Sequence, residues 1–371
     1  MLTNFGLKMG IMITYLSHWD WILYKSRKDL VKYIQSKEIH AMCPNGEFVN
    51  ELESVYKSIT PWEIERNKIL DIKAILALRK YLKNVDSEYH CFTLKTGILF
   101  CLASVFIKNK NKAVLSITGL GFLFSSDLNA KLLRTIIKPF MSFLFNNSFK
   151  IIIFQNNSDE KIFLNFSRFS NKTKIIPSSG IESINFTKKD ADTENPVTKK
   201  VILVSRLLYD KGVLDYISVI NKVEAKNFEF YLAGERDKGN PQNISDKDME
   251  MILKEEKLHY LGKINTEKEL SKFDISLVMS SHEGFSRILL ESLYVGLYCL
   301  AYDVQGTEVM KDFNNIELIE INQVDEFVKF IENFDAAEDN SRNIKLIEEF
   351  YTSKVIASQF ETIYKELDVL N

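Results

Sequence analysis

Several kinds of protein are excluded by what this sequence lacks. It has four cysteines, Cys43, Cys91, Cys101 and Cys299, scattered without CxxC spacing. They offer neither a disulfide framework nor a zinc site, and a reducing compartment is the simplest reading. No cluster of His, Cys and Asp has metal-ligand spacing. Long apolar runs are missing as well. The stretches 9–16 and 97–107 fall short of the roughly 18 residues that a membrane-spanning helix needs. The first also lacks a cleavage-like region and reads as a strand rather than a signal. There is no G-x-x-x-x-G-K-S/T phosphate loop, no repeat of solenoid period and no low-complexity segment.

What is present is an ordinary globular composition, 46% hydrophobic and 26% charged over 371 residues, enough for two domains with proper cores. The net charge of −2 hides an asymmetry. Residues 1–186 carry 25 Lys and Arg against 15 Asp and Glu, and the remainder 23 against 35. A basic first half suggests an anionic partner: a membrane surface, a phosphate or a nucleic acid. Helix 130–145 carries Lys131, Arg134 and Lys138 beside Ile136, Ile137, Phe140, Phe143 and Leu144. That is not a stacking platform for nucleic acid. It fits either a core helix with a basic outer face or an amphipathic helix at a membrane surface.

Strands alternate with helices throughout. Strands are expected at 10–16, 39–43, 88–93, 112–117, 150–155 and 174–176, with 62–66 either strand or loop. Helices are expected at 24–36, 50–57, 70–82, 97–106, 130–145 and 159–166. On helix 70–82, Ile72, Ile75, Leu76, Leu78 and Leu82 lie near one side. Residues 187–199 are charged, aperiodic and hold Pro196, which reads as a linker. Strands then resume at 201–204, 228–233, 259–261, 275–279 and 298–302, with helices at 210–221, 247–256, 267–272, 287–294, 323–333 and 353–366. The fold class is α/β, two parallel-sheet domains joined by a linker, with a ligand cleft expected between them.

Chemistry concentrates in Ser280-Ser281-His282-Glu283-Gly284-Phe285-Ser286-Arg287-Ile288-Leu289-Leu290-Glu291. A strand that stops, a glycine turn and a helix that starts make a ligand site at the carboxyl edge of a parallel sheet. If the intervening residues are helical, Glu283 and Glu291 stand about 12 Å apart along the axis. One carboxylate could then accept from sugar hydroxyls and the other from a ribose, with free helix amides facing the phosphates between. Arg206 and Lys211 follow the strand 201–204 and supply a fork and a point charge for a diphosphate. Asp246-Lys247-Asp248 matches a metal-binding D-x-D pattern, but its polar setting before a helix reads as capping.

Taken in order, Arg206 and Lys211, Gly234, Tyr260-Leu261-Gly262, Glu283-Gly284-Phe285, Glu291, Gly306 and Glu308 resemble the retaining glycosyltransferases of family 4. The resemblance implies the GT-B fold, two Rossmann-like domains facing across a cleft. It spans an acceptor domain at 1–186, a linker at 187–199, a nucleotide-sugar domain at 200–345 and a terminal helix, 346–371, packing back on the first domain. It implies that Arg206 and Lys211 bind the donor diphosphate, that Glu283 with Gly284, Phe285 and Ser286 holds the donor sugar, and that Glu291 holds the ribose. Glu283, Arg206 and Lys211 would be the catalytic set.

The first half, through Leu16-Ser17-His18-Trp19-Asp20 with Tyr24 and Arg27, Cys43-Pro44-Asn45-Gly46-Glu47, His90-Cys91-Phe92-Thr93-Leu94-Lys95 and Thr118-Gly119-Leu120-Gly121, is similar to a bacterial subgroup. That subgroup makes O-antigens, capsules and lipid-linked glycans and includes N-acetylgalactosaminyltransferases acting on undecaprenyl-diphosphate sugars. The implied acceptor residues are His18, Asp20, His90, Lys95, Thr118 and Gly119. The implied partners are a UDP-linked sugar, a lipid-linked saccharide and the inner face of a cytoplasmic membrane. No metal, cofactor or nucleic acid is implied. In that subgroup the chain starts just before the first strand, so residues 1–8 read as an extension with Met9 an alternative start. The glycine pair common after the first strand is absent here, Ser205 stands where a glycine is frequent, and His282 has no assigned role. A nucleotide-sugar epimerase of the same architecture, or a non-catalytic subunit that keeps the fold, stays open.

Overall fold

The structure is a computed structural model that describes residues 11–66, 68, 70–107, 113–120, 128–189 and 198–369. Most of the linker segment 187–199, all of residues 1–8, Gly10, Gly121 and the side chains of Lys131, Ile136 and Ile137 lie outside the described residues. The chain divides into two units, one of residues 1–180 with 353–371 and one of residues 181–352.

The first unit is built on β1 (Ile11–Ser17), β2 (Lys37–Cys43), β3 (Ile59–Pro61), β4 (Glu88–Phe92), β5 (Ala113–Ile117), β6 (Ile151–Phe154) and β7 (Lys172–Ile175). All pair in parallel, in the order β3-β2-β1-β4-β5-β6-β7. The second uses β8 (Lys199–Val204), β9 (Phe228–Ala233), β10 (Leu258–Gly262), β11 (Ile275–Val278), β12 (Tyr298–Tyr302) and β13 (Ile316–Ile319), also parallel, in the order β10-β9-β8-β11-β12-β13. The alternation therefore gives the two doubly wound sheets expected of it. Strands β4, β5 and β6 are buried at every position, which is why they read as apolar runs rather than alternating ones. In both sheets the order reverses beside the first strand, between β1 and β4 and between β8 and β11. Loops there diverge and leave room for a ligand at the carboxyl edge.

Some local expectations change. The helix expected at 24–36 is two short helices, Asp20–Ser26 and Lys28–Val31, broken at Arg27. The buried stripe of helix Ile72–Asn84 is Ala74, Leu78 and Leu82, an i, i+4, i+8 row, so Ile72 and Leu76 point outward and are 72% and 60% exposed. Strand β13 and the helix Ser341–Phe350 were not expected. The helix buries Ile347 within the second unit.

The last helix, Ser353–Val369, completes one face of the first unit. Ile356, Ala357, Phe360, Ile363, Tyr364 and Leu367 join a core with Ile13, Tyr15 and Ile39. It is tied down by charge too. The Lys37 ammonium, fully buried, lies 3.0 Å from Glu88 and 2.5 Å from Asp368. Burial pushes the Glu88 carboxyl up, and Lys37 pulls it back down. Removing the ammonium strands a buried carboxylate, the expensive way to break such a pair. Lys37→Met is therefore predicted to cost about 3 kcal/mol, read as a lower urea midpoint. A wild-type midpoint would show that the ammonium contributes nothing net.

Candidate active site

The second unit's switch point holds the polar constellation, and three glycines explain how its loops pack. Gly212, at φ +69, lies so close to the residue that follows β11 that a Cβ would stand 2.1 Å from the Met279 carbonyl. At Gly234 a Cβ would stand 1.7 Å from the Ser205 carbonyl, and at Gly306 one would stand 2.4 Å from the Glu283 carbonyl. No side chain fits at these approaches, so the loops after β8, β9, β11 and β12 close on one another through bare backbone.

Those approaches place the side chains. Lys211 ends a short 3-10 turn, Tyr209–Lys211, after β8. Its Nζ donates to Glu283 Oε1 at 2.7 Å and to Ser280 Oγ at 3.1 Å, both in the loop after β11. The Ser281 amide donates to the Asp210 carbonyl at 2.9 Å, a second tie between the same two loops. Both partners of the Lys211–Glu283 pair are mostly buried, so solvent screens it weakly. Arg206 takes a different partner. Its guanidinium lies 2.8 Å from Asp237, a nearly buried acid in the loop after β9. Sequence reading missed Asp237, because a lone Asp in a polar loop carries no local signal.

The helix Arg287–Val295 begins at this place. Its N-cap, Ser286, has no side-chain capping bond, and its buried Oγ has no hydrogen-bond partner among the described residues. A buried hydroxyl with nothing to bond to at the positive end of a helix is a gap in the polar accounting. The helix starts at Arg287, not at Glu283, so only four of the eight steps between the glutamates are helical, about 6 Å of axial rise rather than 12 Å. Glu291 is 3% exposed, and its Oε1 accepts from Arg287 Nε at 2.7 Å. The role of Arg287 was also missed, although the i, i+4 spacing is a signal that could have found it. Phe285, placed beside a sugar by the sequence reading, turns its ring into the core against Tyr351, so only its backbone faces the loop. The ring of His282 is exposed and its Nδ1 meets Ser281 Oγ at 3.0 Å. Asp248 accepts from Ser245 Oγ and Tyr209, and Ser245 caps the helix Asp246–Leu253. Among the described residues no group of three His, Cys, Asp or Glu could hold a metal ion.

In the first unit the expected acceptor residues separate. His18 follows β1, with Nδ1 at 3.1 Å from Thr93 Oγ1 and 3.2 Å from Thr96 Oγ1. Thr93, at φ +80 and ψ 153, holds a conformation that glycine normally takes, at the start of helix Leu94–Ser104. Lys95 donates to the Glu65 and Arg66 carbonyls at 2.9 and 2.8 Å, and burial lowers it to about 8. The Arg66 guanidinium lies 3.6 Å over the ring of Trp19, which stacks on Trp21. Thr118 and Gly119 follow β5 and are partly exposed.

Two assignments are corrected. His90 is fully buried, its Nδ1 2.7 Å from the Tyr364 hydroxyl and its Nε2 2.7 Å from Ser116 Oγ. It is a core residue, because both its nitrogens are spent on β5 and the last helix. Asp20 is buried as well, accepting from the Phe48 amide at 2.8 Å and packed on Gly46.

Residues 198–334 match the family described as Glycosyl transferases group 1. That span runs from β8 through β13 and contains the whole constellation around Lys211. The full chain has the GT-B fold. Sucrose-phosphate synthase from Thermosynechococcus elongatus superposes on 97% of this chain and 100% of its own, with a TM-score of 0.78 at 15% identity. HepE from Anabaena, solved with UDP and glucose, covers 96% and 99% at a TM-score of 0.74 and 15% identity. A glycosyltransferase from Rickettsia africae covers 96% and 98% at 0.72 and 14% identity. No curated protein sequence matches this glycosyltransferase-fold chain.

The two histidines set a pH dependence. Burial, then the Lys95 and Arg66 cations, hold His18 down to about 3. Burial likewise pushes His90 well below the ordinary histidine range. In the unfolded chain both titrate near 6.5. Their stabilisation is therefore present above pH ~6.5 and is lost as pH falls through the window down to about 3 for His18. Within that window each histidine contributes a slope of about 1.4 kcal/mol per pH unit. His18→Gln is predicted to flatten the fall in urea midpoint between neutral and mildly acidic buffer. An acid slope identical to wild type would contradict the assignment.

Proposed function

We propose that this protein is a retaining, metal-independent glycosyltransferase. It moves a hexose or N-acetylhexosamine from a UDP-linked donor to a saccharide carried on a polyprenyl diphosphate, at the inner face of a bacterial cell membrane. The reading serves surface polysaccharide or glycan synthesis. One observation carries the donor half: the buried, unpartnered Ser286 hydroxyl stands at a helix start beside the Lys211–Glu283 pair, at the switch point of the sheet. An anionic diphosphate suits a helix amino terminus with a spare hydroxyl and nearby cations. The group 1 match over the same residues, and the UDP bound by HepE, support the same choice.

In this reading Lys211 and Arg206 meet the charge that builds on the departing diphosphate, which is electrostatic catalysis. Asp237 aims Arg206, and Glu283 positions the donor sugar beside Gly284, Phe285 and Ser286 through backbone and carboxylate. Glu291, its other oxygen held by Arg287, takes the ribose. The leaving phosphate itself accepts the proton from the acceptor hydroxyl. Retention then needs no protein nucleophile. The acceptor belongs to the carboxyl edge of the first unit's sheet, where His18, Lys95, Thr118 and Gly119 remain candidates and His90 and Asp20 do not. Membrane contact is assigned to the helix Leu128–Ser148, whose Phe140 and Phe143 are 64% and 65% exposed and which also carries Arg134 and Lys138. No helix among the described residues is long and apolar enough to cross a membrane.

A screen of UDP-sugars with a short synthetic lipid-diphosphate sugar, read by mass, tests this directly. Transfer to the acceptor is the expected result. An isomerised nucleotide sugar without acceptor would make the protein an epimerase, and inertness with every donor would make it a binding subunit. Lys211→Ala and Arg206→Ala are each predicted to lower turnover about 10²- to 10³-fold with the circular dichroism spectrum unchanged. Wild-type turnover in either variant would remove the diphosphate assignment.

A further inference from the structure

The start of the helix Arg287–Val295 holds a carboxylate–cation pair besides Lys211 with Glu283, and this one runs against helix electrostatics. Arg287 is the first helical residue, and the first turn carries no acid. The amino end of a helix is its positive end, where a cation is disfavoured. Glu291 follows four positions later, its Oε1 accepting from Arg287 Nε at 2.7 Å. An i, i+4 pair supports a helix best when the acid precedes the base, and here the base comes first. Helix stability therefore does not explain the pair. Its setting does. Residues 289–295 are all buried, and Glu291 is the one charged side chain among them, 3% exposed. An ionised acid in so dry a run needs a cation and hydrogen bonds to keep its charge. Arg287 supplies both, through one oxygen. The other oxygen, Oε2, accepts from no described residue. A carboxylate can take about four such bonds, so one side of Glu291 is left to a ligand.

A ligand that suits this oxygen presents hydroxyl donors. A carboxylate held in place by a guanidinium accepts from hydroxyls and has nothing to offer a carbon-bound hydrogen. A site built to bond a hydroxyl rejects the analogue that lacks it, because the buried acceptor is then left unpaired. We propose that Arg287 is a positioning residue that makes Glu291 select ribose over 2′-deoxyribose. The donor is then a ribonucleoside diphosphate sugar, and sugars linked to a deoxyribonucleotide are refused. Arg287 acts through Glu291, fixing the charge and the direction of the carboxylate. The inference deepens the donor reading above and rests on its placing the ribose at Glu291.

The test is calorimetric titration of the full chain with UDP and with 2′-deoxy-UDP, which differ by one hydroxyl and need no acceptor. Wild type is expected to prefer UDP roughly 10- to 100-fold. In Arg287→Met the affinity for UDP should fall to that for 2′-deoxy-UDP, leaving a preference under about threefold. The affinity for 2′-deoxy-UDP should stay at the wild-type value. Arg287→Lys, which keeps the cation, should restore most of the preference, a rescue that the neutral variant does not give. On a Glu291→Gln background, Arg287→Met should weaken UDP no further, as required of a residue that acts through the carboxylate. Should Arg287→Met not fold, as read by circular dichroism, Arg287→Gln keeps a hydrogen bond without the charge and should still lower the preference. An unchanged preference in the folded variant overturns the inference. So does an equal loss for both nucleotides, which would make Arg287 a general support of the site. Absence of UDP binding in wild type is a different outcome: it removes the donor reading itself, and this inference with it.

Discussion

The ammonium of Lys211 is the contact on which the second unit's site depends. It bridges the loop after β8 to the loop after β11, at the point where the strand order reverses. Without that bridge, Glu283 would be a mostly buried carboxylate lacking its partner, and the two loops would keep the bonds that Ser280 and Ser281 make to the Asp210 carbonyl. The bridge in turn depends on Gly212, Gly234 and Gly306, whose missing side chains let four loops approach to contact distance. An ammonium already held among a carboxylate and a serine hydroxyl is well placed to exchange one anionic partner for another. Under the proposed reading the incoming diphosphate is that second anion, so the site is organised before the donor arrives and loses little order on binding it.

The first unit repeats the topology with different chemistry at its edge. Where the second unit presents an ion pair, the first presents His18 held neutral between two threonines, under the field of Lys95 and Arg66. Its interior is also completed from a distance. The last helix brings Tyr364 to Tyr15 and His90, and Asp368 to the buried Lys37. The segment that ends the chain is thus part of the core behind the first unit's switch point.

Much of this was legible in the sequence because parallel strands buried on both faces read as apolar runs, and because their loops carry the polar residues. Lys211, Arg206, Glu283 and Ser286 stand next to strand ends, so the alternation alone placed them at sheet edges. What escaped notice depended on tertiary partners. His90 is the central residue of β4, and its neighbours across the sheet and on the last helix spend both nitrogens. Asp237 becomes informative only once β9 is seen beside β8. Ile72 and Leu76 looked like core because their spacing is helical, yet the stripe that packs is offset by two positions. β13 is an edge strand of four residues, three of them only partly buried, and gives little apolar signal.

The central claim is that the helix start at Ser286, together with Lys211, receives a nucleoside diphosphate. Thermal melting of wild type and Ser286→Ala, each with and without UDP, tests it most directly. Because the Oγ caps nothing, the ligand-free melting temperature should be equal or slightly higher in the variant, and the shift produced by UDP should be clearly smaller. A lower ligand-free melting temperature together with an undiminished UDP shift would show that Ser286 serves the fold and not the donor.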